Sequence, residues 1–114
     1  MTGTHEILKG TLDLLVMRTL AIEPMHGWGI AERLREMSAA AFDVNDGSLY
    51  PALQRLKSRG WIRADWQRTP NNRRARYYEL TGAGKSQLDI ERARWRASVE
   101  AVDRVLDFSW DERA

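Results

Sequence analysis

Apolar residues recur at three- and four-residue spacing across residues 7–22: Leu8, Leu12, Leu15, Val16 and Leu20, with Thr19 on the same side. That spacing marks one face of a helix, and Glu23-Pro24 ends it. A second helical pattern covers residues 27–37, with Ile30, Ala31, Leu34 and Met37 turned inward and Glu32, Arg33, Arg35 and Glu36 outward. After a linker over residues 38–44, the run Asn45-Asp46-Gly47-Ser48 is rich in capping residues. It opens a third helix whose buried face is Leu49, Ala52, Leu53 and Leu56. Pro51 is expected in its first turn, where a missing N–H costs little, and Gly60 is placed to stop it.

The period then changes from helical to alternating. Residues 61–68 and 73–80 each read as a strand, and Thr69-Pro70-Asn71-Asn72 between them is turn chemistry, so together they predict a β-hairpin. Trp61 and Trp66 are expected in the core of this small sheet, and one of Tyr77 and Tyr78 faces inward. Thr81-Gly82-Ala83-Gly84 breaks the chain, and a long helix follows over residues 85–107. Its apolar residues Leu88, Trp95, Val99, Val102 and Leu106 are 7, 4, 3 and 4 apart, a heptad-like seam interrupted at Arg92. The expected fold class is mainly α with a small β-hairpin: a winged helix-turn-helix over residues 1–81, a C-terminal dimerisation helix over 82–107, and a tail over 108–114.

Composition narrows the function classes. With 114 residues the chain is one domain's worth, and 43% hydrophobic with 30% charged residues is ordinary for a folded protein. It contains no cysteine and only His5 and His26 as histidines, so neither a thiolate nor a histidine metal site is expected, and no cofactor. His26, beside Gly27, reads as a turn or cap residue. No signal-peptide pattern is visible, and the apolar stretch over residues 12–22 is interrupted by Asp13 and Arg18, well short of the roughly 20 residues of a membrane span. These features predict a cytoplasmic protein without a membrane partner. A glycine-rich phosphate loop and a nucleophile elbow around Ser48 are both missing, which argues against an enzyme.

A net charge of +2 is too mild to identify a partner, so the placement of charge has to do so. Arg55, Lys57, Arg59, Arg63, Arg68, Arg73, Arg74 and Arg76 cluster between the third helix and the hairpin, where Asp65 is the only acid before Tyr78. In a winged helix-turn-helix the third helix enters the major groove of duplex DNA. Opposite its buried face stand Gly47, Pro51, Gln54 and Ser58, flanked by Ser48, Tyr50 and Arg55. Gln54 is suited to adenine, Arg55 to guanine or phosphate, and Ser48 with the first-turn amides to phosphate. Tyr50 either packs beside the buried face or reaches a phosphate. Arginines 68, 73, 74 and 76 at the hairpin tip suit a phosphate backbone or a narrow minor groove. A protein–protein adaptor and an RNA-binding winged helix remain alternatives at this point.

Five stretches in order then carry a resemblance: Leu8-Lys9-Gly10-Thr11-Leu12-Asp13-Leu14-Leu15, His26-Gly27-Trp28-Gly29-Ile30-Ala31, Gly47-Ser48-Leu49-Tyr50-Pro51-Ala52-Leu53, Gly60-Trp61-Ile62, and residues 73–81. With these the chain closely resembles the PadR family of bacterial transcriptional regulators, in its compact branch with a single C-terminal helix. The resemblance implies a DNA-binding repressor and a homodimer built on the C-terminal helix with help from the first. The interface residues would be Leu8, Leu12, Leu88, Trp95, Val99, Val102 and Leu106, and the operator an inverted repeat. It also implies release of DNA by a small aromatic or phenolic effector. Trp95 matches the tryptophan that stacks on such ligands in some members, or it is a dimer core residue. Trp28 stands where many members have tyrosine and is expected to be structural.

Overall fold

The computed structural model describes residues 9–110. Seven elements follow one another: α1 (Lys9–Ile22), β1 (Met25–His26), α2 (Gly27–Met37), α3 (Asp46–Ser58), β2 (Ile62–Arg68), β3 (Arg74–Leu80) and α4 (Gly82–Leu106). The sheet is antiparallel with order β1-β3-β2. Its third strand, β1, was not expected from the sequence, because two residues are too few to show alternation. Met25 and His26 pair with Tyr78 and Tyr77, so the start of α2 is tied to the hairpin.

One core serves the whole body of the molecule. Leu12, Val16, Met17 and Leu20 of α1, Ile30 and Leu34 of α2, and Leu49, Leu53 and Leu56 of α3 close on Ile62, Tyr78 and Leu80 of the sheet and Leu88 of α4. Thr19 is fully buried and stays satisfied by donating to the Leu15 carbonyl at 2.9 Å. Tyr78 is the inward tyrosine of its pair, and Tyr77 sits half-buried with its ring edge-on to His26 at 5.2 Å. Burial pushes the Tyr78 hydroxyl above the ordinary tyrosine pKa of 10.0.

Local chemistry sets the element ends. The His26 side chain caps α2 by accepting from the Gly29 amide at 2.9 Å, and Asn45 caps α3 by accepting from Ser48 at 3.0 Å. Helix α3 closes on a Schellman arrangement in which Gly60, at φ +77°, donates to Lys57 and Trp61 donates to Leu56. Pro51, expected in the first turn, lies in the second, since α3 begins at Asp46. The Gly47 carbonyl therefore lacks its usual partner and faces water at an exposed residue.

Helix α4 starts three residues before the expected Lys85, because Thr81 caps it and the glycines form its first turn. The Thr81 hydroxyl accepts from Gly84 at 3.0 Å and donates to the Gly60 carbonyl at 2.7 Å, joining α4 to the end of α3. Gly84 is pressed so closely on the Trp61 carbonyl that a Cβ would collide with it, so this glycine is a packing device and not a break. Through Gly84 and Leu88 the first turns of α4 belong to the winged core. Beyond Glu91 the helix is exposed on every side, and the molecule is 68 Å long against 37 and 21 Å in the other directions.

Candidate nucleic-acid interface

Helix α3 buries Leu49, Ala52, Leu53 and Leu56 and presents Ser48, Pro51, Gln54 and Ser58 to solvent. This is the small, polar row that the spacing predicts, on a helix held by caps at both ends. Tyr50 is 46% exposed and leans over the start of α2, where its hydroxyl would lie 2.8 Å from a Cβ placed on Gly27. Arg55 departs from its expected role. It turns inward and donates to both oxygens of Asp13 on α1, at 2.7 and 3.1 Å. Arg59 approaches the same carboxylate at 3.7 Å. The hydrogen bond to Asp13 raises the Arg55 pKa further, and the guanidinium is used to fasten α3 to α1. A buried Asp13 in an otherwise apolar helix face was the available signal, since a buried carboxylate needs a cation.

The wing carries the remaining arginines. Across β2 and β3 the register sets Trp66 opposite Arg76 and Arg68 opposite Arg74, on the face that continues outward from Ile62, Ala64, Tyr78 and Leu80. Hydrogen bonds close the tip: the Thr69 carbonyl accepts from the Asn72 amide, the Thr69 amide donates to the Arg73 carbonyl, and Arg68 donates to both the carbonyl and the side chain of Asn72. Trp66, expected in the sheet core, is instead 56% exposed, because β2 outruns the helical layer beneath it; the guanidiniums of Arg74 and Arg76 lie over its ring at 4.9 and 5.7 Å. Trp61 is only half-buried, with Arg59 over its face.

Pairing across elements thins the basic cluster. Asp13 pairs with Arg55 and is shared at longer range with Arg59, so one of those two charges is offset, and Glu79 pairs with Arg63 at 2.9 Å. Among the described residues no carboxylate pairs with Lys57, Arg68, Arg73, Arg74 or Arg76. Within the segment from α3 to β3, the unpaired cations thus lie on the wing and the exposed side of α3. Between them a concavity of about 750 Å³ is lined by Arg74, Arg76 and Trp66 on one side and by His26, Trp28 and Tyr50 on the other. Trp28, expected to be structural, is 71% exposed at its mouth.

The expected dimer residues separate into two groups. Leu12 and Leu88 are 4% and 6% exposed and are consumed by the protomer's own core, which corrects their assignment to an interface. Leu8 lies outside the described residues. Trp95, Val99, Val102 and Leu106 are exposed along α4, joined by Val105. At the base of this stripe a cavity of about 280 Å³ is lined by Leu14, Leu15, Arg18, Phe42, Arg92 and Trp95. Arg94 and Arg96, which flank Trp95 in sequence, are not among its lining residues.

Three helices, a small antiparallel sheet and an arginine-bearing hairpin in this order make a winged helix-turn-helix protein. Residues 16–90 match the family described as "Transcriptional regulator PadR-like family", and the chain belongs to that family. It is 31% identical over 102 residues to "Transcriptional regulator Rv3488" of Mycobacterium tuberculosis, covering 90% of this chain and 89% of the relative. Among solved structures, it is similar to a PadR-like transcription factor from Bacteroides fragilis, with a TM-score of 0.70, 33% identity, and 85% and 91% of the two chains covered. A PadR family regulator from Clostridium difficile gives a TM-score of 0.72 at 29% identity, with 83% and 97% covered. The protein is therefore a transcriptional regulator of a DNA-binding family and not an enzyme. No helix among the described residues is long and apolar enough to cross a membrane.

Proposed function

We propose that this protein is a cytoplasmic homodimeric repressor that binds an inverted-repeat operator in duplex DNA and is released by a small aromatic ligand. The observation that carries DNA recognition is the polar row of α3, with Gln54 at its centre, set beside a wing whose Arg68, Arg73, Arg74 and Arg76 have no acidic partner among the described residues. Two such units would lie about one helical turn apart along the duplex, with α3 of each in a major groove. Repression follows as exclusion of polymerase from the occupied operator.

Dimerisation is supported by the stripe Trp95, Val99, Val102 and Leu106, which leaves a long apolar surface in water on the projecting half of α4. The effector reading is supported by the cavity beside Trp95, whose Leu14, Leu15 and Phe42 offer apolar walls to a planar ring. Arg18 and Arg92 at the same cavity favour an anionic substituent on that ring. Quenching of tryptophan fluorescence by a panel of aromatic compounds tests it, and quenching that persists in Trp95→Ala would place the ligand elsewhere.

One paired experiment tests the DNA reading. Arg73→Ala with Arg74→Ala should weaken binding to all duplex sequences alike, while Gln54→Ala should relax preference at one position per half-site by about 1–3 kcal/mol. Capture of a protein partner with no salt-sensitive duplex affinity would favour the adaptor reading instead.

A further inference from the structure

The wing exposes a tryptophan and orphans an arginine nitrogen at the same place. Trp66 stands directly across the ladder from Arg76, and both Arg74 and Arg76 lay their guanidiniums over its indole face. Neither arginine has a carboxylate partner among the described residues. The Arg76 Nε is buried without any hydrogen-bond acceptor, the one such side-chain atom among the described residues. A desolvated, charged donor left in this way is costly until an acceptor arrives, and an anionic oxygen is the strongest acceptor available to it.

The opposite wall of the cleft is also equipped for an anion. His26 spends Nδ1 as the acceptor for the Gly29 amide, so its neutral ring carries the proton on Nε2 and keeps a donor there. At about 750 Å³ the cleft is far larger than one phosphate group, and the exposed faces of Trp28 and Trp66 border it. An anion attached to a bulky, partly apolar chain fits that description, and a sugar–phosphate strand is such a chain.

We propose that the cleft between the wing and the start of α2 seats one backbone phosphate of duplex DNA, and that Trp66 is the positioning residue holding Arg74 and Arg76 ready for it. Stacking on the indole restricts two long side chains before DNA arrives, so less of their freedom is lost on binding. Because β1 ties α2 to β3, a strand lying in the cleft would touch the wing and the body at once. The inference rests on the DNA-binding reading and adds to it a specific seat and a residue outside the arginine cluster.

The test uses the full-length protein and a fluorescein-labelled duplex of mixed sequence, since a phosphate seat does not depend on bases. Trp66→Ala is expected to weaken binding about five- to tenfold and to flatten the plot of log affinity against log salt by about 0.9, the loss of one neutralised phosphate. Trp66→Phe, which keeps a ring face, is expected to restore the wild-type slope. In unmutated protein labelled with 5-fluorotryptophan, the fluorine signal that disappears in Trp66→Phe should shift when duplex is added. An unchanged slope in Trp66→Ala, or a Trp66 signal that stays in place while the wild type binds duplex, overturns the seat. Wild-type protein with no salt-dependent affinity for duplex overturns the DNA-binding reading itself. The fluorine measurement needs no substitution in the bound species, so it decides the matter even if Trp66→Ala disturbs the wing.

Discussion

The wing end and the projecting half of α4 expose opposite chemistry on a chain whose net charge is only +2. On the wing, Arg68, Arg73, Arg74 and Arg76 lack acidic partners among the described residues, and the exposed Trp66 lies under two of them. On α4, Val99, Val102, Val105 and Leu106 are bare, and charges of both signs alternate around them: Arg92, Arg94, Arg96 and Arg104 with Glu91, Glu100 and Asp103. A cationic surface without compensation suits a polyanion, whereas an apolar stripe within a balanced surface suits a second protein face. Total charge conceals this division. What matters is which charges the fold has already spent.

Four variants break or sharpen the contrast, from the largest expected effect to the smallest. Val99→Glu with Val102→Glu should raise the dimer dissociation constant at least about a thousandfold, because four valines across two protomers lose their burial. Mass in solution measures this, and an unchanged mass would leave the α4 stripe without its proposed role. Gly84→Ala acts at the joint between the two regions. It forces a methyl against the Trp61 carbonyl, a backbone atom that cannot step aside, and should cost about 3 kcal/mol in denaturant unfolding. A cost near zero would mean that α4 is free to shift relative to the wing.

Asp13→Ala removes the carboxylate that holds Arg55 and Arg59. The partly buried Arg55 is then left without an acceptor, and urea unfolding should show a loss of about 2 kcal/mol. The same variant should bind mixed-sequence duplex with a steeper salt dependence, since two cations near α3 are released; a flatter one would contradict the account of spent charge. The smallest effect belongs to Ala40 in the α2–α3 connection. Ala39 and Ala40 have φ of +53° and +66°, a conformation that alanine adopts at a cost. Ala40→Gly should therefore raise stability slightly, by about 0.5–1 kcal/mol in thermal unfolding, and leave duplex affinity and dimer mass unchanged.

Much of the fold is legible in residue spacing. The three- and four-residue apolar rhythm of α1, α2 and α3 reflects helical geometry that any single segment displays on its own, and the caps His26, Asn45 and Thr81 act on amides three residues away. Errors arise where a neighbour in space overrides a local rule. Thr81-Gly82-Ala83-Gly84 looks like a break, yet Gly84 is required by the Trp61 carbonyl twenty-three residues earlier in the chain. Leu12 and Leu88 carry the same spacing as the exposed stripe and differ from it only in what packs over them. Trp66 alternates correctly with the sheet core, and spacing does not reveal that the core has ended before the strand does.

By itself, the sequence determined the order and type of the elements other than β1, the polar row on α3 and the turn flanked by the arginines, because each depends on residues within a few positions of one another. Only the tertiary structure decided which cations remain for a ligand. Asp13 lies 42 residues from Arg55, and Glu79 lies 16 from Arg63. Electrostatic pairing follows distance through space, so the charge a surface offers emerges when the helices and the hairpin have been brought together.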